Sequence, residues 1–440
     1  MKKRIVYSIL FVALGLNLFV GAQIYFSSAQ AAEKNNFHHQ IELFVRVLEK
    51  IRQEYVDSDK VSYDELMRGA LKGMLSTLDP HSEFMEAQKY EDLRNDTEGA
   101  YGGVGIMVGL RDKDNALTVV APMEDTPAFR AGILAGDKIV KIEGKTTEKI
   151  TLMDAVKKLR GETGTQVTIT ISRPTLPQPK DFTLTRVVVK VDTVKDIDGR
   201  RTFPLSENKA GYIRMTQFGE QTTAELQEAL KKLKAQGMEG LILDLRNNPG
   251  GLLDQAVKVC ELFVPRGQLV VSTEGRGAQS KYEYIAKGGD LYPNLSIVIL
   301  VNGGSASASE IVAGCLQDLK RAFVMGEQTF GKGSVQSIVP LQDGSALRLT
   351  TAKYYTPSHK VIHEKGITPD SVVPMSAEEE EAAFMKRVPG GVDFDALSEE
   401  KRERIQNARD IQLERAGDFL KGILLFKDRG QSARKFAGKR

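Results

Sequence analysis

Leu241-Ile242-Leu243-Asp244-Leu245-Arg246-Asn247-Asn248-Pro249-Gly250-Gly251-Leu252 passes from a near-continuous apolar run into a Pro/Gly turn. Helical spacing follows from Leu252 to Phe263. A strand with no polar alternation is one buried on both faces, which is how parallel sheets are built. The pattern recurs: Ile297 to Val301 is a second apolar run, Asn302-Gly303-Gly304-Ser305-Ala306-Ser307 is its turn, and Ala306 to Gln317 is helical. Ala210 to Arg214 and Ala322 to Met325 read as further strands, and Thr222 to Gln236 as a helix. Strands alternating with helices imply an α/β core with a mainly parallel sheet, here over residues 188–376.

Outward from that core the pattern changes twice. Upstream, residues 99–187 form a small β-rich unit. Val104, Ile106 and Val108 alternate, as do Leu117 and Val119, and Val167, Ile169 and Ile171. Ile139, Val140 and Ile142 read as another strand, and Leu152, Ala155, Val156 and Leu159 share one helical face. Residues 32–98 read as helical, with Ile41, Phe44, Val45, Leu48, Ile51 and Tyr55 at three- and four-residue spacing and a second helix from Ser62 to Leu75. Downstream, the acidic run Glu378 to Glu381 and the charged stretch Glu399 to Arg415 suggest that 377–440 is a solvated helical tail.

The chain has 440 residues, so several domains are expected rather than one core. A net charge of +3 with dispersed basic residues offers no electrostatic footprint for nucleic acid. Lys2, Lys3 and Arg4 precede an apolar run from Ile5 to Phe26, and Ala29-Gln30-Ala31 follows. Charged, apolar, then small is the order of an export signal. The run is also long enough to span a bilayer if uncut, so 1–31 is a cleaved signal peptide or a membrane anchor through residues 5–26. Both readings put the rest of the chain in a periplasmic or other extracytoplasmic space, because the positive end stays inside. Cys260 and Cys315 lie in apolar stretches and read as buried free thiols, with a disulfide left open in an oxidising compartment.

The two strand-to-helix turns are where an open α/β sheet places its chemistry. Their small residues let a substrate backbone approach, and free N–H groups at a helix start can hold an oxyanion. The second turn offers serines. None of the five histidines has a local setting that marks a Ser-His-Asp arrangement. A lysine can act as the base when burial lowers its pKa, and Lys332, flanked by Gly331 and Gly333, is a candidate. Gly326 to Lys332 imitates a phosphate-binding loop, but Gly333 replaces the required Ser or Thr, and strand-like residues follow. His359 and His363 have zinc-like spacing without a helix to carry it.

Six segments together resemble the carboxyl-terminal processing (tail-specific) proteases, Ser-Lys peptidases of family S41. They are LDPHSEF at 78–84, YGGVGI at 101–106, LILDLRNNPGGLL at 241–253, VNGGSASASE at 301–310, GKGSVQ at 331–336 and HEKGITPD at 363–370. The resemblance implies a multidomain α/β protein with a crotonase/ClpP-like α/β protease core, an inserted β-rich PDZ domain, and helical N- and C-terminal extensions. It implies Ser307 as nucleophile, because Lys332 follows 25 residues later at the family spacing. It implies Gln336 as the residue that orients the lysine, and the N–H groups of Ala308 and of Gly250 or Gly251 as oxyanion donors. Gly103, Val104, Gly105 and Ile106 match a PDZ carboxylate-binding loop, and Arg160 resembles an arginine tied to PDZ positioning. The expected partner is a protein or peptide with a free C-terminus, captured by strand addition. The resemblance also allows a homodimer through the terminal helices and a regulatory adaptor, and calls for no cofactor or metal. Family roles run from protein maturation to envelope quality control and signalling. Two rivals remain: a catalytically inactive PDZ peptide-binding scaffold, and a crotonase-type acyl-transfer enzyme, which would carry no PDZ unit.

Overall fold

A computed structural model describes residues 37–98, 100–111, 116–123, 126–134, 136–173, 176–277, 280–387 and 398–437. The expected signal or anchor at 1–31 lies outside them. Among the described residues no helix is long and apolar enough to cross a membrane. The chain divides into two compact units, Met1–Phe84 and Met85–Arg440. In the first, residues 37–54 are helical, and the helix Tyr63–Ser76 starts at Ser62, whose hydroxyl accepts the Glu65 N–H at 3.2 Å. Ser is favoured there because its side chain satisfies an N–H that the helix cannot.

The second unit contains the β-rich insert and the α/β core. Five insert strands, Ile106–Arg111, Ala116–Pro122, Lys138–Ile142, Gln166–Ser172 and Lys180–Thr185, pair antiparallel in chain order. Val167, Ile169 and Ile171 face inward as their alternation predicts, onto Leu117, Val119, Ala155 and Leu159. Ile139 and Ile142 are both buried although they do not alternate, because a register shift between Ile139 and Lys141 turns the strand. The insert begins and ends on one two-stranded ladder, Ala100–Gly103 against Val187–Lys190.

The core sheet has the order Val194–Lys195, Ala210–Met215, Gly240–Asp244, Ser296–Val301, Phe323–Gly326 and Ser371–Val372. All its pairings are parallel except the first. Every residue of Gly240–Asp244 is buried, as its apolar run predicts. Leu241 and Leu243 meet residues of the helices Thr222–Ala235, Leu253–Glu261 and Ala308–Asp318. Four strands of a second sheet, Ser334–Pro340, Ala346–Tyr355, Leu269–Gly275 and Lys281–Ile285, pair antiparallel in that order and are inserted in the chain between strands of the parallel sheet.

The opposite face of the parallel sheet overturns one expectation. The segment after residue 376 is not a solvated tail. Ile242, Val298, Leu300 and Met325 pack against Ala416 and Leu420 of the helix Ile411–Ala437. Leu413, Ala416, Leu420 and Leu424 form a stripe at helical spacing within a charged sequence, and averaged charge hides it. Without this helix one face of the sheet would meet water. Replacing fully buried Leu420 with Ala is therefore expected to cost about 2–4 kcal/mol in denaturant unfolding. A change below about 0.5 kcal/mol, typical of an exposed surface site, would contradict the packing.

Candidate active site

The strand Ser296–Val301 leaves the sheet at Asn302 and turns into the helix Ala308–Asp318, with Ser307 at the junction. Ser307 has φ 54° and ψ −113°, a region that costs a side-chain-bearing residue about 1–3 kcal/mol. Such strand-to-helix elbows present a nucleophile at the top of a sheet. The geometry also separates three serines that look alike in sequence. Ser305 and Ser309 are fully buried. The Ser305 hydroxyl donates to the Leu245 carbonyl at 2.8 Å, and the Ser309 hydroxyl to the Asn248 carbonyl at 2.9 Å. Both stitch the two turns together. Ser307 is only half-buried.

The turn after Gly240–Asp244 lies against this elbow. Asn248 is fully buried. Its carbonyl accepts the Ala306 N–H at 3.0 Å, and its side-chain oxygen accepts the Gly250 N–H at 2.9 Å. Gly250 has φ 98°, and a Cβ there would lie 2.8 Å from the Ser307 Cβ and 2.9 Å from the Ala308 nitrogen. Only glycine fits at that point, where any side chain would run into the elbow. The N–H groups of Ala308 and Gly251 take no hydrogen-bond partner among the described residues, whereas that of Gly250 is engaged.

Lys332 sits half-buried in the loop before the strand Ser334–Pro340. Burial, and secondarily the nearby Arg348, lower its pKa from the usual 10.5. The loop is tied to the serine by a residue to which the sequence reading assigned no role. The Glu310 carboxylate, fully buried, accepts the N–H of Ser307 at 2.8 Å and of Lys332 at 2.9 Å on one oxygen. Its other oxygen accepts the Gly331 N–H at 2.7 Å and the Thr329 hydroxyl at 2.5 Å. Burial raises its pKa, and those four donors act in the opposite direction. The available signal was a carboxylate three residues into a helix, where a reciprocal capping contact is common.

The side chains themselves are not joined. Lys332 Nζ makes no hydrogen bond to Ser307 or Gln336 among the described residues. The Gln336 amide instead donates to Ser334 Oγ at 2.8 Å and Thr350 Oγ1 at 3.3 Å. In the insert, the carbonyls of Val104 and Gly105 accept the N–H groups of Ala128 and Met123 at 3.0 and 2.9 Å. Gly103, Val104 and Gly105 are buried, Ile106 opens the first strand, and Gly105 has φ 75°. The Arg160 guanidinium lies 4.1 Å over the Tyr101 ring, beside this loop. Lys332 leads into a strand, so the nucleotide-loop reading falls. No cluster able to hold a metal, His359 and His363 included, is found among the described residues. Cys260 and Cys315 are buried free thiols.

Comparison with known proteins agrees with this layout. Residues 209–373 match the model of peptidase family S41, 118–173 a PDZ domain, and 19–89 the activating protease CtpB N-terminal domain. The chain is 44% identical over 380 residues to a carboxy-terminal-processing protease of Bartonella bacilliformis, covering 85% of this chain and 83% of that one. It is 35% identical over 381 residues to a carboxyl-terminal-processing protease of Synechocystis, covering 82% and 87%. A solved structure of a putative S41 protease from Bacteroides fragilis shares the fold, with a TM-score of 0.50 and 18% identity over 86% of this chain and 97% of that one.

The strained elbow makes a stability prediction. Ser307→Gly should raise stability by about 1 kcal/mol relative to Ser307→Ala, since only glycine occupies this backbone region freely. Equal unfolding midpoints for the two variants would show that the elbow stores no strain.

Proposed function

The chain belongs to peptidase family S41, and from that premise we propose that Ser307 and Lys332 are its catalytic pair, cutting proteins near their C-termini. The observation that carries the assignment is the Glu310 carboxylate, which holds on a single oxygen the backbone of a strained serine and of a lysine whose pKa burial lowers. Neutral Lys332 takes the Ser307 proton as Oγ attacks the scissile carbonyl. The oxyanion is held by the Ala308 N–H and, from the facing turn, by the Gly251 N–H, because Asn248 already occupies that of Gly250. The lysine returns its proton to the leaving amine, and water then releases the acyl group from Ser307. Substrate binding draws the Lys332 side chain onto Ser307 Oγ and the Gln336 amide oxygen onto Lys332. Catalytic hydrogen bonds often tighten only when substrate is bound.

The substrate C-terminus adds alongside the strand Ile106–Arg111, with its carboxylate at Gly103–Ile106 and Arg160 steadied on Tyr101. The charged, apolar, then small order at the N-terminus supports action outside the cytoplasm. Exposed Phe37, Ile41, Phe44 and Val45 support pairing of terminal helices in a homodimer.

Two experiments test the reading. Protein lacking residues 1–31 should cut an unfolded protein with an apolar C-terminus, and Ser307→Ala and Lys332→Ala should lose at least about a thousandfold in rate while remaining folded. Cutting by Ser307→Ala would refute the site, and an inert wild type would favour a binding scaffold. Second, kcat/KM should rise with pH through the lysine pKa, because only neutral lysine accepts a proton. Arg348→Gln removes a neighbouring positive charge, so the lysine pKa rises and that limb should move to higher pH. A profile flat from neutral pH down to about 5, or a limb that does not move, would argue against Lys332 as the base.

A further inference from the structure

We infer that Asp410 and Glu380, both contributed by the C-terminal segment, are positioning residues of the peptidase site. The inference rests on the catalytic assignment above. Neither side chain touches the reacting atoms. Each holds one of the two turns that do.

Asp410 acts on the turn that carries Gly250 and Gly251. Arg246 begins that turn and is nearly buried. Its two terminal nitrogens donate to the two Asp410 oxygens at 2.9 and 2.8 Å, fork to fork. Its Nε and Nη2 also donate to Asp244, at 3.0 and 2.6 Å, and Asp244 in turn accepts the Tyr212 hydroxyl at 2.7 Å. Gln412 accepts a further bond from Arg246 at 3.1 Å and donates to the Val373 carbonyl at 2.8 Å. Arg387 completes the pairing of Asp410 at 2.8 Å. A guanidinium clamped on both sides cannot swing, and two residues further on Asn248 binds Ala306 and Gly250.

Glu380 acts on the nucleophile turn. The Asn302 amide donates to both Glu380 oxygens, at 2.9 and 3.1 Å, and to the Asn247 side chain at 3.0 Å. The Asn302 oxygen accepts the N–H groups of Asn247 at 2.9 Å and Gly304 at 3.0 Å. Asn302 thus bridges the two turns, and Glu380 fixes its amide orientation. Catalysis needs both turns placed to well within an ångström, because oxyanion donors and nucleophile come from different ones. The helices Ala377–Met385 and Ile411–Ala437 are in this sense part of the catalytic unit.

The test compares Glu380→Ala, Glu380→Gln, Asp410→Asn and a matched control, Glu378→Ala, on the exposed face of the same helix. Readouts are kcat and KM on a peptide with an apolar C-terminus, the rate of Ser307 labelling by a fluorophosphonate, and the melting temperature. Glu380→Ala and Asp410→Asn should lower kcat and the labelling rate by about tenfold or more, with KM within about twofold. Glu380→Gln, which keeps an acceptor for Asn302, should recover most of that loss, and Glu378→Ala should match wild type. If Asp410→Asn does not fold, Glu380→Ala still decides. Wild-type kcat in Glu380→Ala, or a loss that the folded fraction alone accounts for, would overturn the inference. A wild type that neither cuts nor labels at Ser307 instead sinks the peptidase assignment, and this inference with it.

Discussion

One buried carboxylate organises the site. Glu310 lies in the first turn of the helix that Ser307 caps, and it gathers donors from that elbow and from the Thr329–Lys332 loop. A carboxylate removed from water is costly unless its oxygens are satisfied, and here each oxygen has two donors. The same bonds that stabilise the charge set the distance between the Ser307 and Lys332 backbones. Protonation of Glu310, favoured by its burial, would weaken the clasp from the acid side. The site thus depends on an interaction made with the backbones of Ser307 and Lys332 rather than with their side chains.

The parallel sheet makes this arrangement available. Gly240–Asp244 and Ser296–Val301 are hydrogen-bonded neighbours that run the same way, so their turns leave the sheet side by side. Ser305 and Ser309 spend their hydroxyls on the facing turn, and Asn248 returns the contact through its carbonyl. Against this rigid frame stand several local costs: a serine with positive φ, a lysine held below its ordinary pKa, and a glycine pressed against Ser307. Functional sites commonly carry strain that the surrounding fold supports.

The remaining parts attach to the frame by different physics. The β-rich insert has its own apolar core and begins and ends on the ladder of Ala100–Gly103 with Val187–Lys190. The C-terminal segment shares the core. Its helix buries one sheet face, and Asp410 is drawn into a charged network. Burial alone would raise the Asp410 pKa, but the Arg246 hydrogen bonds and charge outweigh it and pull the carboxyl down to about 2. Since the folded state then binds that proton more weakly than the unfolded chain, the network contributes fully above about pH 4 and is lost as pH falls toward about 2.

By itself the sequence determined the strand-turn-helix pairs of the core, the β-rich insert and the candidate pair Ser307 and Lys332. Apolar periodicity and glycine-rich turns are local signals, each complete within a dozen residues, and the pair follows from short motifs recurring in the family's order along the chain. The tertiary structure alone decided what depends on partners far apart in the chain. Glu310 became a clasp only when the 329–332 loop folded over it. The structural roles of Ser305 and Ser309 emerged only once Leu245 and Asn248 lay beside them. The charged C-terminal stretch, read as solvated, turned out to hold Asp410 against Arg246 across 164 positions of sequence. Net charge along a segment reports its average contact with water, whereas a single stripe of Ala416 and Leu420, or one paired carboxylate, is settled by the surface it meets.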